Sequence, residues 1–137
     1  MAVQTQPAPS RWEIERQWRD KSLSDLMDHI IRTHHLPLRR KLPRLVELAE
    51  AVIGQNPDQA QRLGKLRDMV AHFSDEMLHH VAREEQVLFP LYRAVEESQT
   101  VPRHLWQAML DTTRATISEH DEAGDEMERI RALADDY

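Results

Sequence analysis

Two stretches of this sequence interrupt a regular apolar pattern with side chains that bind metals. In the first, the repeat steps through Leu66, Val70, Phe73 and Met77, then His80 and Glu84, then Val87/Leu88, Leu91 and Val95. Three- and four-residue steps keep one helix face, so His80 and Glu84 fall in the middle of a stripe that should face a core. The second stretch steps through Trp106, Met109, Thr113, Thr116/Ile117, His120, Ala123/Gly124 and Met127, and places His120 in the same way. A buried glutamate without a partner is costly, and a buried histidine only slightly less so. Metal coordination accounts for both more economically than mutual hydrogen bonding does. A third contribution comes from His34-His35. Phase puts His34 nearer the centre of its stripe, Pro37 makes phase unreliable there, and periodicity does not decide between the two. All of these are nitrogen or oxygen donors, a set suited to iron, manganese or zinc.

Other polar residues have plainer readings. Helical phase puts His29, His72, His79 and His104 on solvent faces. Glu76, one turn before His80, and Glu119, beside His120, sit at the stripe edge. Each is read either as a partner holding an imidazole or as solvated surface. Glu85 and Asp121 are expected to be exposed.

The elements that must position these residues are helices. Ser22-x-x-Asp25 offers an N-cap with an acidic partner. From there Leu23, Met27, Ile30, Ile31, Leu38, Leu42, Leu45, Ala49 and Val52 recur at helical spacing, and the run ends at Gly54. Pro37 and Pro43 should kink it. Asn56-Pro57-Asp58 opens a second helix with Pro90 inside it, and Thr100-Val101-Pro102 opens a third that carries Leu105, Met109, Thr113, Ile117, Ala123, Met127 and Ile130. Residues 1 to about 10 read as a disordered lead. Arg11 to Lys21 reads as a strap packing Trp12 and Trp18 on the bundle, so residues 1–21 form a lead and strap and 22–137 the helical domain. Short connections imply antiparallel neighbours, hence an all-α, up–down–up bundle. Depth is consistent with a shared site: His80 and Glu84 lie 18 and 14 residues before Ser98, and His120 lies 18 after Pro102. On the first helix, His35 lies 19 residues before Gly54 and His80 lies 22 after Asp58, close enough to converge.

Composition narrows the classes. At 137 residues the chain fits one domain with a real core, and three glycines among abundant Leu, Ala, Arg and Glu favour helix. A net charge of −6 argues against nucleic acid as a partner. The absence of cysteine excludes disulfides, zinc fingers and cysteine-ligated clusters, and leaves His, Asp and Glu as ligands. No apolar run has the length to span a bilayer and no secretory segment is evident, so the expected location is cytoplasmic.

Three motifs together closely resemble hemerythrin-like (HHE cation-binding) domains. They are Asp28-His29-Ile30-Ile31…His35-x-x-Leu38-Arg39…Leu42-Pro43, His80-x-x-x-Glu84-Glu85-Gln86-Val87-Leu88-Phe89-Pro90, and Ser118-Glu119-His120-Asp121-Glu122-Ala123-Gly124. Within that family the chain is most similar to the iron–sulphur-cluster repair di-iron proteins, over about residues 13 to 137. The resemblance implies a four-helix bundle around a non-haem di-iron centre. It selects His35 on the first helix, six residues after His29 and eight before Pro43. It implies His35, His80 and His120 as terminal ligands and Glu84 as a bridging carboxylate. Two departures stand out: no cysteine-containing N-terminal domain precedes the helices, and the sequence reaches Tyr137 before the family's fourth helix and its second His-x-x-x-Glu. The first and third stripes should therefore be partly bare.

These features lead to an expected iron-binding protein related to the repair of iron–sulphur centres after nitrosative or oxidative stress, with a mononuclear or weakened dinuclear site. Its expected partners are O₂ or NO, iron–sulphur proteins, and a second copy docked through the bare stripes. The alternatives are an O₂- or NO-binding sensor or storage module, and a truncated family member without function. Whether the chain is an enzyme is left open.

Overall fold

The structure is a computed structural model that describes residues 10–135; the lead over residues 1–9 and the Trp12 side chain lie outside the described residues. A short helix, α1 (Arg11–Trp18), is capped by Ser10, whose hydroxyl accepts from the Glu13 amide while the Glu13 carboxylate accepts from the Ser10 amide. Three long helices come after it. Helix α2 comprises Leu23–Ile30, a π-helical turn Ile31–His35, and Leu36–Gln55. Helix α3 comprises Ala60–Arg83, a π-helical turn Glu84–Leu88, and Phe89–Glu97. Helix α4 is unbroken from Arg103–Asp135. The only other helical element among the described residues is a 3₁₀ turn, Pro57–Gln59.

Helix α2 starts at the expected cap: the Asp25 amide donates to Ser22 Oγ at 3.0 Å, and the Ser22 amide donates to the Asp25 carboxylate at 3.3 Å. Two further N-terminal donors, the amides of Leu23 and Ser24, are taken up by Glu96 at the far end of α3, at 2.5 and 3.1 Å. This carboxylate satisfies amides that have no partner inside their helix and ties the start of α2 to the end of α3. Arg93 adds an ion pair to Asp28 at 2.6 Å. Helix α3 is the middle element and packs against α2 on one side and α4 on the other, in the antiparallel order that the short connections imply. Trp18 lies against helix α2, with its ring centroid 4.8 Å from that of His29. His29 is therefore half-buried under Trp18 rather than solvated, because a neighbouring element covers a face that phase alone leaves open.

The prolines explain the π turns. A proline at position i has no amide for the carbonyl at i−4, and its ring clashes with that carbonyl. Just before Pro37 and Pro90 the chain widens, so that the amide of Leu36 donates to Ile31 and the amide of Phe89 donates to Glu84, each five residues back. Each π turn absorbs one extra residue and rotates the next helical segment by about 100° relative to a straight helix. Pro43 lies inside the Leu36–Gln55 segment without such a turn.

Met27, Leu42, Leu63, Val70, Val81, Leu88, Phe89 and Met109 form the buried apolar set. Three apolar residues of the α2 stripe, Leu23, Leu45 and Val52, are exposed instead, as are Ile117 and Met127 on α4. The three packed helices leave these residues uncovered.

Candidate metal centre

The π turn of α2 determines which of His34 and His35 faces the core. Met27 and His34 are seven residues apart, and so are His35 and Leu42, so straight counting from either end chooses a different histidine. The turn Ile31–His35 takes up the extra residue between the two registers. His35 is consequently 3% exposed, against the face of Phe89 with ring centroids 5.7 Å apart, whereas His34 is exposed. His80 lies in the last turn of the long α segment of α3, and Glu84 opens the π turn after it; both are buried.

All four residues singled out in the sequence gather around the Glu84 carboxylate. Glu84 directs Oε2 to His35 Nε2 at 2.9 Å, and Oε1 to His80 Nε2 at 3.3 Å and His120 Nε2 at 3.6 Å. His80 and His120 bring their Nε2 atoms within 2.9 Å of each other. A donor atom of each of His80, Glu84 and His120 lies within 4.8 Å of the others, and His35 joins through the second oxygen of Glu84.

The outer nitrogens are held as well. His35 Nδ1 donates to Glu85 at 2.8 Å, and Arg39 donates to the same oxygen at 2.7 Å. His80 Nδ1 donates to Glu119 at 2.7 Å, and Arg83 pairs with the other oxygen of Glu119. Glu119 thus takes the imidazole-holding role weighed for it, while Glu76 stays exposed on the wall of a groove of ≈ 390 Å³ between α3 and α4. Glu85 departs from its expected exposure: its side chain is 24% exposed and bound to α2. Arg39 stands in the first family motif and Arg83 in none, and neither was given a role from the sequence. Their signal was present in the spacing, four residues after His35 and three after His80, which on a helix means the adjacent turn. His72, His79 and His104 are exposed, as their phase implies, and so is Asp121.

The electrostatics result from these contacts. Burial pushes the Glu84 carboxyl up, yet the hydrogen bonds from His35 and His80 outweigh it and hold its pKa down to about 2. Burial disfavours charge on His35, but its hydrogen bonds to Glu84 and Glu85 raise it above the usual imidazole value. The Glu84 bond, opposed by burial and reinforced by Glu119, raises His80 in the same direction. The raised imidazoles and the lowered carboxyl thus favour one another's charged forms.

A metal ion fits this donor set. With nitrogen ligands about 2.1 Å from an ion, adjacent donors lie roughly 3.0–3.4 Å apart in octahedral or tetrahedral surroundings. The spacings of 2.9, 3.3 and 3.6 Å among His80, His120 and Glu84 are of that size. Because Glu84 offers one oxygen to His35 and the other to His80 and His120, its carboxylate can serve two positions at once.

A helical bundle with a buried histidine–carboxylate cluster is the class to which this chain belongs, and comparison with known proteins specifies it. Residues 26–137 match the family model of the hemerythrin HHE cation binding domain, and the chain is a member of that family. It is 30% identical over 122 residues to the iron-sulfur cluster repair protein YtfE of Enterobacter sp. (strain 638), covering 89% of this chain and 51% of the relative. It is 31% identical over 118 residues to the protein of the same name from Escherichia coli O157:H7, covering 86% and 50%. The chain spans about half the length of the curated relatives it matches. No solved structure matches it. Among the described residues, no helix is long and apolar enough to cross a membrane.

Proposed function

We propose that this chain binds non-haem iron through His35, His80, Glu84 and His120, and that it acts in restoring iron–sulphur centres damaged by nitrosative or oxidative stress. The observation that carries the reading is the convergence of three imidazoles from three helices on the two oxygens of one buried carboxylate. The repair role draws on the relatives named as iron-sulfur cluster repair proteins. In the protein's own chemistry, His80, His120 and Glu84 would hold one cation, and His35 with the other oxygen of Glu84 would offer a second, less complete position. Iron held there supplies redox chemistry and coordination positions open to small diatomic molecules.

Anaerobic Fe(II) titration followed by thermal melting tests the binding. Uptake and a rise in Tm are expected, since a ligand specific to the folded state stabilises it. No shift, together with no metal by elemental analysis, would overturn the reading. The repair role is tested by mixing the iron-loaded chain with an apo-cluster protein and following the return of cluster absorbance; absence of transfer removes that role and leaves the binding.

The 60% exposure of the His120 side chain supports a second reading. A site open on that side admits O₂ or NO, as a sensor or store would require. Reversible gas binding without iron transfer distinguishes it. The bare Leu45, Leu48 and Val52 on α2 and Trp106, Ile117 and Met127 on α4 support a homodimer closing that side. A discrete dimer by light scattering is expected, and a monomer at high concentration would exclude it.

A further inference from the structure

The two buried histidines are held by the same construction, repeated one helix further along the chain. His35 and Arg39 on α2 grip Glu85 on α3, and Glu85 comes directly after the core residue Glu84. His80 and Arg83 on α3 grip Glu119 on α4, and Glu119 directly precedes the site residue His120. In each case the next helix supplies an acid beside its own site residue, and an arginine one turn beyond the histidine fixes that acid. Among the described residues His120 has no such carboxylate on Nδ1, and its side chain is the exposed one.

We propose that Glu85 and Glu119, anchored by Arg39 and Arg83, are positioning residues for the metal centre: they keep the proton of His35 and His80 on Nδ1 and so keep both Nε2 lone pairs facing the cation. A neutral imidazole carries one proton, and the nitrogen that bears it cannot ligate. A carboxylate at 2.8 or 2.7 Å accepts from Nδ1–H, so the single proton of a neutral imidazole is kept there and Nε2, which faces Glu84 in the metal-free chain, can turn its lone pair to a cation. It also makes the imidazole a stronger donor to the metal. A lone carboxylate could rotate away; the arginine bound to each one removes that freedom. Because each acid comes from the neighbouring helix, correct packing of α2 on α3 and of α3 on α4 sets the ligand orientation.

This inference rests on the metal-binding reading above. The test uses Co(II) alone as the probe, titrated into the whole chain and followed by its visible absorption. Glu85→Ala and Glu119→Ala should each weaken binding by roughly 10- to 100-fold. Glu85→Gln and Glu119→Gln should recover part of the loss, because an amide oxygen still accepts Nδ1–H. Arg39→Gln and Arg83→Gln touch neither imidazole and should weaken binding by a few-fold, with ring ¹⁵N spectra showing a growing Nε2–H population on His35 or His80. If the alanine variants melt earlier but bind Co(II) as the parent does, the acids are only helix staples and the proposal is wrong. If the alanine variants do not fold, the arginine variants decide: unchanged affinity and unchanged ¹⁵N spectra overturn the positioning role. A parent chain that takes up no Co(II) overturns the metal-binding reading itself, which sets that failure apart from this one.

Discussion

His80 and His120 bring their nitrogens within 2.9 Å of each other, yet they belong to different kinds of structure. His80 sits 6% exposed in the middle helix, with a carboxylate fixed behind it and helices on both sides. His120 has 60% of its side chain open and lies on the α4 face that also bares Trp106, Ile117 and Met127. One half of the site is built before any ion arrives, and the other half is presented to whatever approaches. Preorganised ligands give affinity because their ordering cost was met on folding. An open ligand gives access. On the metal-binding reading proposed above, the centre would divide a strong anchoring side from an exchangeable one.

The largest expected effect comes from the residue shared by both halves. Glu84→Ala removes the carboxylate that all three imidazoles address, and metal affinity should fall by more than about 100-fold, beyond the loss typical of a supporting partner. Equilibrium Co(II) titration measures it; a loss under tenfold would show that the imidazoles bind without the carboxylate. The two histidines separate next. His80→Ala should approach the Glu84 loss, while His120→Ala should cost clearly less affinity and speed metal release to a chelator. Equal losses would erase the distinction between anchored and open ligands.

The pH dependence of the metal-free chain gives a smaller effect, confined to the anchored half. Glu84 is lowered from 4.5 to about 2, so its contribution is present above pH 4.5 and is lost as pH falls toward 2. His35 and His80 are raised above 6.5, so theirs is complete below pH 6.5 and is lost as pH climbs through the raised values. The metal-free chain should thus have its highest Tm between the two, near pH 4.5–6.5. Metal uptake should run the other way, because ligation displaces the Nε2 protons and strengthens as pH rises. A Tm still rising from pH 6.5 to 8 without metal would contradict the mutual support of charged imidazoles and carboxylate at the centre.

The contrast between the two halves also explains which residues the sequence discloses. His80 and Glu84 are legible because each occupies a core position where a charged or polar residue must be compensated, and the long periodic run of α3 sets those positions firmly. His120 follows from the period of α4, yet its stripe position is exposed because no further helix covers it among the described residues. The Ser22–Asp25 cap is legible because its chemistry is local. The choice of His35 over His34 is not, since it depends on where the chain inserts a π turn ahead of Pro37, and straight counting cannot locate that turn. Glu85 is misread for another reason. It lies outside the α3 stripe, and only the position of α2 beside it turns a solvent-facing carboxylate into the partner of His35 and Arg39. Contacts between helices are the part of the site that a one-dimensional period does not contain.

The smallest expected effect tests the open face itself. Leu63 is 7% exposed between packed helices, and Leu63→Ala should destabilise the chain by about 2–5 kcal/mol through lost burial and the cavity left behind. Ile117 is 56% exposed on the bare face of α4, and Ile117→Ser should change monomer stability by no more than about 0.5 kcal/mol. Denaturant melts of both variants at low protein concentration compare the two regions directly. Repeating the Ile117→Ser melt at high concentration then isolates self-association. A copy docked on this face stabilises the parent by mass action, so a difference between parent and variant should emerge only as concentration rises. A concentration-independent difference of several kcal/mol would mean that Ile117 is packed within its own chain, and the open half of the centre would have to be redrawn.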